Sequence, residues 1–236
     1  MRNKTAVPFI LAAGGLLFSG LYALLARFPM MPEAASAQAA HVDSAWNGLL
    51  AVEGGIYALL LAFILYCLIA FRAGRREEQG ERFEASRGYL VEAGWLLAST
   101  ALTLGLAALG AKELRSLISD PEADMDVEVR AERFSWEFYY PRLNTYGSAL
   151  YLERGKRHRI ILTSKDVVHS FWVPEFRVKQ DAVPGKVIAF ILTPTKTGRY
   201  TLLCNQICGA NHTDMNAVGE GVEHEQFEKS LTDESF

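Results

Sequence analysis

The chain has 236 residues, half of them hydrophobic and 22% charged, with a formal net charge of −3. That length holds one domain plus membrane segments, and the charge excludes a polybasic grip on nucleic acid or acidic lipid. The apolar residues crowd before about residue 112, which points to membrane spans rather than to one oversized core.

Three apolar stretches come first, at about 7–26, 46–71 and 89–111. Each is long enough to cross a hydrocarbon core of about 30 Å at about 1.5 Å per residue. The first follows Arg2 and Lys4 and runs toward Ala34-Ala35-Ser36-Ala37-Gln38-Ala39-Ala40. That is the layout of a signal peptide with a small-residue cleavage site. Its apolar run also suits an uncleaved anchor, and cleavage is the favoured reading. The second stretch carries Glu53, an intramembrane carboxylate that faces protein or water and to which no mechanism attaches. Cys67, in the same run, reads as a small packing residue. The third stretch opens on Val91-Glu92-Ala93-Gly94-Trp95, and the bland reading of Glu92 is an acid favoured by the dipole at a helix start. The link between the second and third stretches holds Arg72, Arg75, Arg76, Arg82 and Arg87, whereas 28–45 has no Lys or Arg. The positive-inside rule therefore places the N-terminus and the Arg-rich link in the cytoplasm and everything after about residue 112 outside.

From about residue 122 the pattern turns to strands. Candidates lie at 125–130, 133–140, 149–153, 159–163, 167–173, 186–192 and 199–204, with turn signals at Gly155, Pro184-Gly185 and Thr197-Gly198. Many short strands at even spacing predict a small β-sandwich or barrel, and 223–231 suits one short amphipathic helix. The expected class is an α+β membrane protein: a signal peptide or anchor at 1–40, a transmembrane helix hairpin at 42–115, and an all-β domain at 122–236.

Chemistry concentrates in Cys204-x3-Cys208-x3-His212-x2-Met215, with His169 upstream. Two thiols, two imidazoles and a thioether are soft donors that select copper. One cysteine would suggest a mononuclear site, and two suggest a dinuclear, electron-passing one. A disulfide explains neither His212 nor Met215, and zinc rarely recruits methionine. His41, His158 and His224 have no such setting and are expected at the surface.

Three segments, Asp166-Val-Val-His-Ser-Phe-Trp-Val-Pro174, Val178-Lys-Gln-Asp-Ala-Val-Pro-Gly185 and Cys204-Asn-Gln-Ile-Cys-Gly-Ala-Asn-His-Thr-Asp-Met215, resemble subunit II of the haem–copper cytochrome c oxidases. The resemblance covers roughly 42–231. It implies a cupredoxin-like β-barrel bearing the dinuclear copper centre CuA. Cys204 and Cys208 would bridge both ions, His169 and His212 would bind one each, and Met215 and the backbone carbonyl of Gln206 would be weak ligands. Gln206 stands where the family usually has a glutamate that helps hold an interface magnesium, and a neutral amide leaves that magnesium doubtful. Phe134 stands where many members have the tryptophan that receives electrons, and Trp136 is retained. The pair is the expected electron entry. Glu92 matches a glutamate at the mouth of a proton path into subunit I. The resemblance implies an electron-entry subunit in a bacterial plasma membrane, with its copper domain on the outer side. Its partners would be subunit I and cytochrome c or a similar donor. No haem ligands are evident in this chain, so the oxygen-reducing site would lie in subunit I. The alternative is the CuA-bearing subunit of a nitric oxide reductase. Quinol oxidase subunits lack the copper ligands, and a copper-delivery protein would not need the hairpin.

Overall fold

The computed structural model describes residues 3–25, 27–28, 30–71, 88–118 and 122–232. The Arg-rich link expected in the cytoplasm lies outside these residues. The chain divides into two compact units, Met1–Met30 with Ala45–Lys112, and Met31–Ser44 with Glu113–Phe236.

Three long helices appear, α1 (Asn3–Leu25), α2 (Ala37–Ala70) and α3 (Gly88–Ile118). Each contains a stretch long and apolar enough to cross a membrane. In the first unit α1 packs on α2 through small residues. A Cβ on Gly14 would come within 2.8 Å of Leu59, and one on Gly54 within 3.2 Å of Phe18. Ala58 and Ala62 are buried, and the rings of Phe9 and Tyr66 lie 6.2 Å apart. Close approach of this kind is how helices associate in lipid, where no hydrophobic force separates them from the tails. On α3 the side chains of Trp95, Leu96 and Leu97 are exposed.

The helix α2 begins well before the expected 46. Alanine and glutamine are strong helix formers, and Ser36 caps the turn by accepting a hydrogen bond from the Ala39 N–H at 3.1 Å. Its hydroxyl also donates to the Phe176 carbonyl at 2.8 Å. The Ala-rich stretch is thereby built into the second unit. The Ala35 N–H donates to the Glu175 carbonyl, the Thr195 N–H to the Ala35 carbonyl and the Ala37 N–H to the Thr193 carbonyl, each at 2.9 Å. Ala35 and Ala39 are buried. Arg177 pairs with Asp43 at 2.7 Å, and Lys196 pairs with Glu33. Residues 31–44 thus group with the β-domain, because their backbone and small side chains complete it.

That domain is two five-stranded sheets. The strands are β1 (Met125–Glu132), β2 (Ser135–Tyr140), β3 (Thr145–Gly147), β4 (Leu150–Glu153), β5 (His158–Ser164), β6 (His169–Val173), β7 (Val178–Ala182), β8 (Ile188–Leu192), β9 (Gly198–Cys204) and β10 (Asn216–Val222), followed by α4 (His224–Thr232). The sheet orders are β3-β2-β1-β5-β8 and β4-β10-β9-β6-β7. Pairing is antiparallel except β1 with β5 and β10 with β4. Val129, Phe138, Leu162, Phe171 and Leu202 fill the core from both sheets. Tyr140 on β2 ties the sheets together, its hydroxyl donating to the Tyr151 carbonyl at 3.0 Å and accepting from the Tyr151 N–H.

The strand expected at 133–140 starts at Ser135, because Arg133 and Phe134 form the turn from β1. Three strands, β3, β7 and β10, were not expected from the sequence. β10 is glycine-rich for a reason of approach: a Cβ on Gly221 would come within 2.5 Å of the Lys196 carbonyl. His158, expected at the surface, is fully buried. It opens β5, whose alternate residues face inward. Its Nε2 accepts the Glu153 N–H at 2.9 Å, and its ring lies 6.0 Å from that of Phe227. Burial holds its pKa below the usual histidine value.

Candidate metal centre

The pairing of β6 with β9 sets Phe171 opposite Cys204, so His169 at the start of β6 lies beside the end of β9. The connection from β9 to β10 carries the remaining candidates. Cys204 closes β9, and a 3-10 turn at His212–Asp214 delivers His212. The Cys204 N–H donates to the Met215 carbonyl at 3.1 Å, which closes the loop at its neck.

The side chains converge. Cys204 Sγ lies 3.8 Å from His169 Nδ1 and 3.9 Å from Cys208 Sγ. Cys208 Sγ lies 3.6 Å from His212 Nδ1 and 3.8 Å from Met215 Sδ. The Gln206 carbonyl lies 3.4 Å from Cys204 Sγ. The ligand atoms of His169, Cys204 and Cys208 all fall within 4.8 Å of one another. Both cysteines are free thiols and, with His169 and Met215, are buried. Each sulfur therefore has its own imidazole, and the pair lies within reach of shared ions. This donor set fits a soft metal held by two thiolates. The Gln206 side chain is exposed, and only its carbonyl joins the group.

Asp166 holds the back of His169, its Oδ1 lying 2.8 Å from His169 Nε2. It also accepts the N–H groups of Val167 and Arg133. Burial by itself would push the Asp166 carboxyl up, but the hydrogen bonds from His169, Val167 and Arg133 outweigh it and hold the pKa to about 2. The Cys208 thiol is pushed up to about 11, by burial first and then by the neighbouring Cys204. The metal-free Cys208 thiol therefore keeps its proton at neutral pH, and a metal must displace it to bind.

Phe134 and Trp136 both lie against the centre. A Cβ on Gly209 would come within 3.0 Å of the Phe134 ring, and Trp136 sets its ring edge-on to His169 at 6.3 Å. The Trp136 Nε1 is buried with no hydrogen-bond partner among the described residues. Glu92 is exposed on α3, in the other unit. The roles of Asp166 and Arg133 were not anticipated. The signal for Asp166 was its place three residues before His169, and Arg133 gave none.

Residues 136–222 match the family described as cytochrome c oxidase subunit II, periplasmic domain. That match and the curated relatives make the chain similar to cytochrome c oxidase subunits II. The chain is 24% identical to cytochrome c oxidase subunit 2 of Synechocystis sp., over 80% of this chain and 71% of that one. It is 28% identical to the alternative cytochrome c oxidase subunit 2 of Bradyrhizobium diazoefficiens, over 75% of this chain and 74% of that one. Among solved structures it is similar to the periplasmic domain of subunit II of cytochrome oxidase of Bradyrhizobium japonicum. That match has 27% identity and a TM-score of 0.42, and covers 46% of this chain and 91% of the other. The helices long and apolar enough to cross a membrane, with a β-domain that matches a periplasmic-domain family, indicate a membrane protein whose β-domain lies on the outer side.

Proposed function

We propose that this chain is the electron-entry subunit of a respiratory cytochrome c oxidase in a bacterial plasma membrane, multi-pass, accepting electrons from a c-type cytochrome at a dinuclear CuA centre and delivering them to haem in subunit I. The observation that carries this reading is the pair of free thiols 3.9 Å apart, each with its own imidazole nitrogen within 3.8 Å. When bound, the copper pair supplies a one-electron carrier with the unpaired electron shared between two ions.

The protein's part is geometry. Cys204 and Cys208 would bridge, His169 and His212 would each hold one ion, and Met215 and the Gln206 carbonyl would be the weak ligands. Asp166 fixes the orientation of the His169 ring, so that one nitrogen faces the thiols while the other is occupied. Burial of both sulfurs keeps water from the bridging atoms. The neutral, exposed Gln206 side chain gives no support to an interface magnesium. Phe134 and Trp136, ranged against the loop and against His169, would form the flat contact for the donor. Glu92 would serve the mouth of a proton path into subunit I.

The test is the electron paramagnetic resonance spectrum of the full chain in detergent after copper loading. The expected outcome is a narrow spectrum with many hyperfine lines, from one electron on two coppers, collapsing in Cys204→Ser. A four-line spectrum from a single copper would reject the dinuclear assignment.

A further inference from the structure

The candidate ligands all come from one sheet, on β6, β9 and the loop into β10, while Arg133, from the opposite sheet, reaches both ligand-bearing segments. Arg133 sits in the turn between β1 and β2. Its backbone N–H donates to Asp166 Oδ2 at 2.9 Å, and the other oxygen of that carboxylate meets His169. Its side-chain Nε donates to the Cys208 carbonyl at 3.1 Å. The next residue, Phe134, seats its ring against Gly209. The turn thus grips the metal loop immediately after its second cysteine and the histidine segment through one carboxylate.

We propose that Arg133 is a positioning residue of the copper centre: its Nε pins the Cys208 segment of the loop, and its guanidinium places a fixed positive charge beside the metal ions. This rests on the CuA reading. The two effects have different consequences. The hydrogen bond resists opening of the loop, so its loss speeds the escape of copper. The charge favours the state with one more electron, so its loss lowers the reduction potential. The side chain is half exposed, so solvent screens the charge, and Asp166, 3.9 Å from Nε, offsets part of it. The shift is therefore modest but has a fixed sign.

Two replacements of matching length separate the effects. In Arg133→Gln the amide nitrogen falls where Nε stood, which keeps a donor and removes the charge. In Arg133→Met both are lost while the length of the stem remains. The backbone link to Asp166 survives in either. The experiment uses the full chain in detergent, loaded with copper, and reads the reduction potential and the rate of copper loss to a chelator. Arg133→Gln is expected to lower the potential and lose copper at the wild-type rate. Arg133→Met should lower the potential equally and lose copper about five-fold faster, the effect of one hydrogen bond. An unchanged potential in both variants, or an unchanged copper-loss rate in Arg133→Met, overturns the proposal. The wild-type resonance spectrum, recorded in parallel, tests the dinuclear reading separately. If it shows a single copper, that reading fails, and Arg133 is still judged on the same two comparisons.

Discussion

At the scale of single residues, the chain hides two titratable groups with opposite demands. Asp166 is held ionised by three hydrogen bonds, and His158 is held neutral by burial. His158 has Glu153 and Asp124 as its charged neighbours, and both favour its protonation, but burial prevails. Its folded pKa lies below the unfolded value, so the unfolded chain binds more protons as pH falls through the ordinary histidine range. The stability that His158 contributes is complete above about pH 6.5 and is lost progressively below it. A melting series from pH 7.5 to pH 5 should therefore show a falling midpoint. Replacement by His158→Gln, which keeps an acceptor for the Glu153 N–H but cannot titrate, should flatten that fall. An identical slope in both proteins would show that other groups drive it.

At the scale of elements, the segment before α2 matters most. Residues 31–44 look like the end of a leader, yet they add backbone hydrogen bonds to the β-domain and bury Ala35 and Ala39. Ser36, in the middle of the small-residue motif, caps α2 and holds the Phe176 carbonyl. Arg177 is the strongest tie: its nearly buried guanidinium meets Asp43 and also donates to the carbonyls of Pro32 and Pro174. Arg177→Ala should cost about 2 kcal/mol, since it removes charge-assisted hydrogen bonds to a partly exposed carboxylate and two carbonyls. Thermal unfolding of the purified chain checks this. N-terminal sequencing of the same material should find residues 31–44 present. A mature chain beginning at Gln38 or Ala40 would show that the domain does without them.

At the scale of the whole molecule, the division of labour is between a helical unit and a β-unit that differ in chemistry. The donors of the candidate centre converge in the β-unit, whereas Glu92 lies exposed on α3. In the assembled oxidase, Glu92→Ala should slow the reduction of the active site that precedes oxygen binding, and so lower steady-state oxygen uptake. The copper spectrum should stay as in the wild type. Unchanged turnover at every pH would remove the proton-path assignment, and since Glu92 lies beyond the first turn of α3 the helix dipole would not explain it either.

The sequence by itself determined the apolar stretches, the strand-rich domain and the candidate donors. Hydropathy, alternation and donor spacing are local properties, and the five soft donors of that spacing do lie together, beside the Gln206 carbonyl that the family resemblance added. Only the tertiary structure decided the rest, because it depends on residues brought together across long separations. The pairing of β6 with β9 sets His169 beside Cys204. The turn at Arg133 reaches a loop 75 residues away. An inward register buries His158, which reads as a surface residue when taken alone. Small residues at 34–40 have the same composition whether they mark a cleavage site or a docked strap, and what distinguishes the two is the partner across the gap. Here that partner is the backbone of residues 175–195.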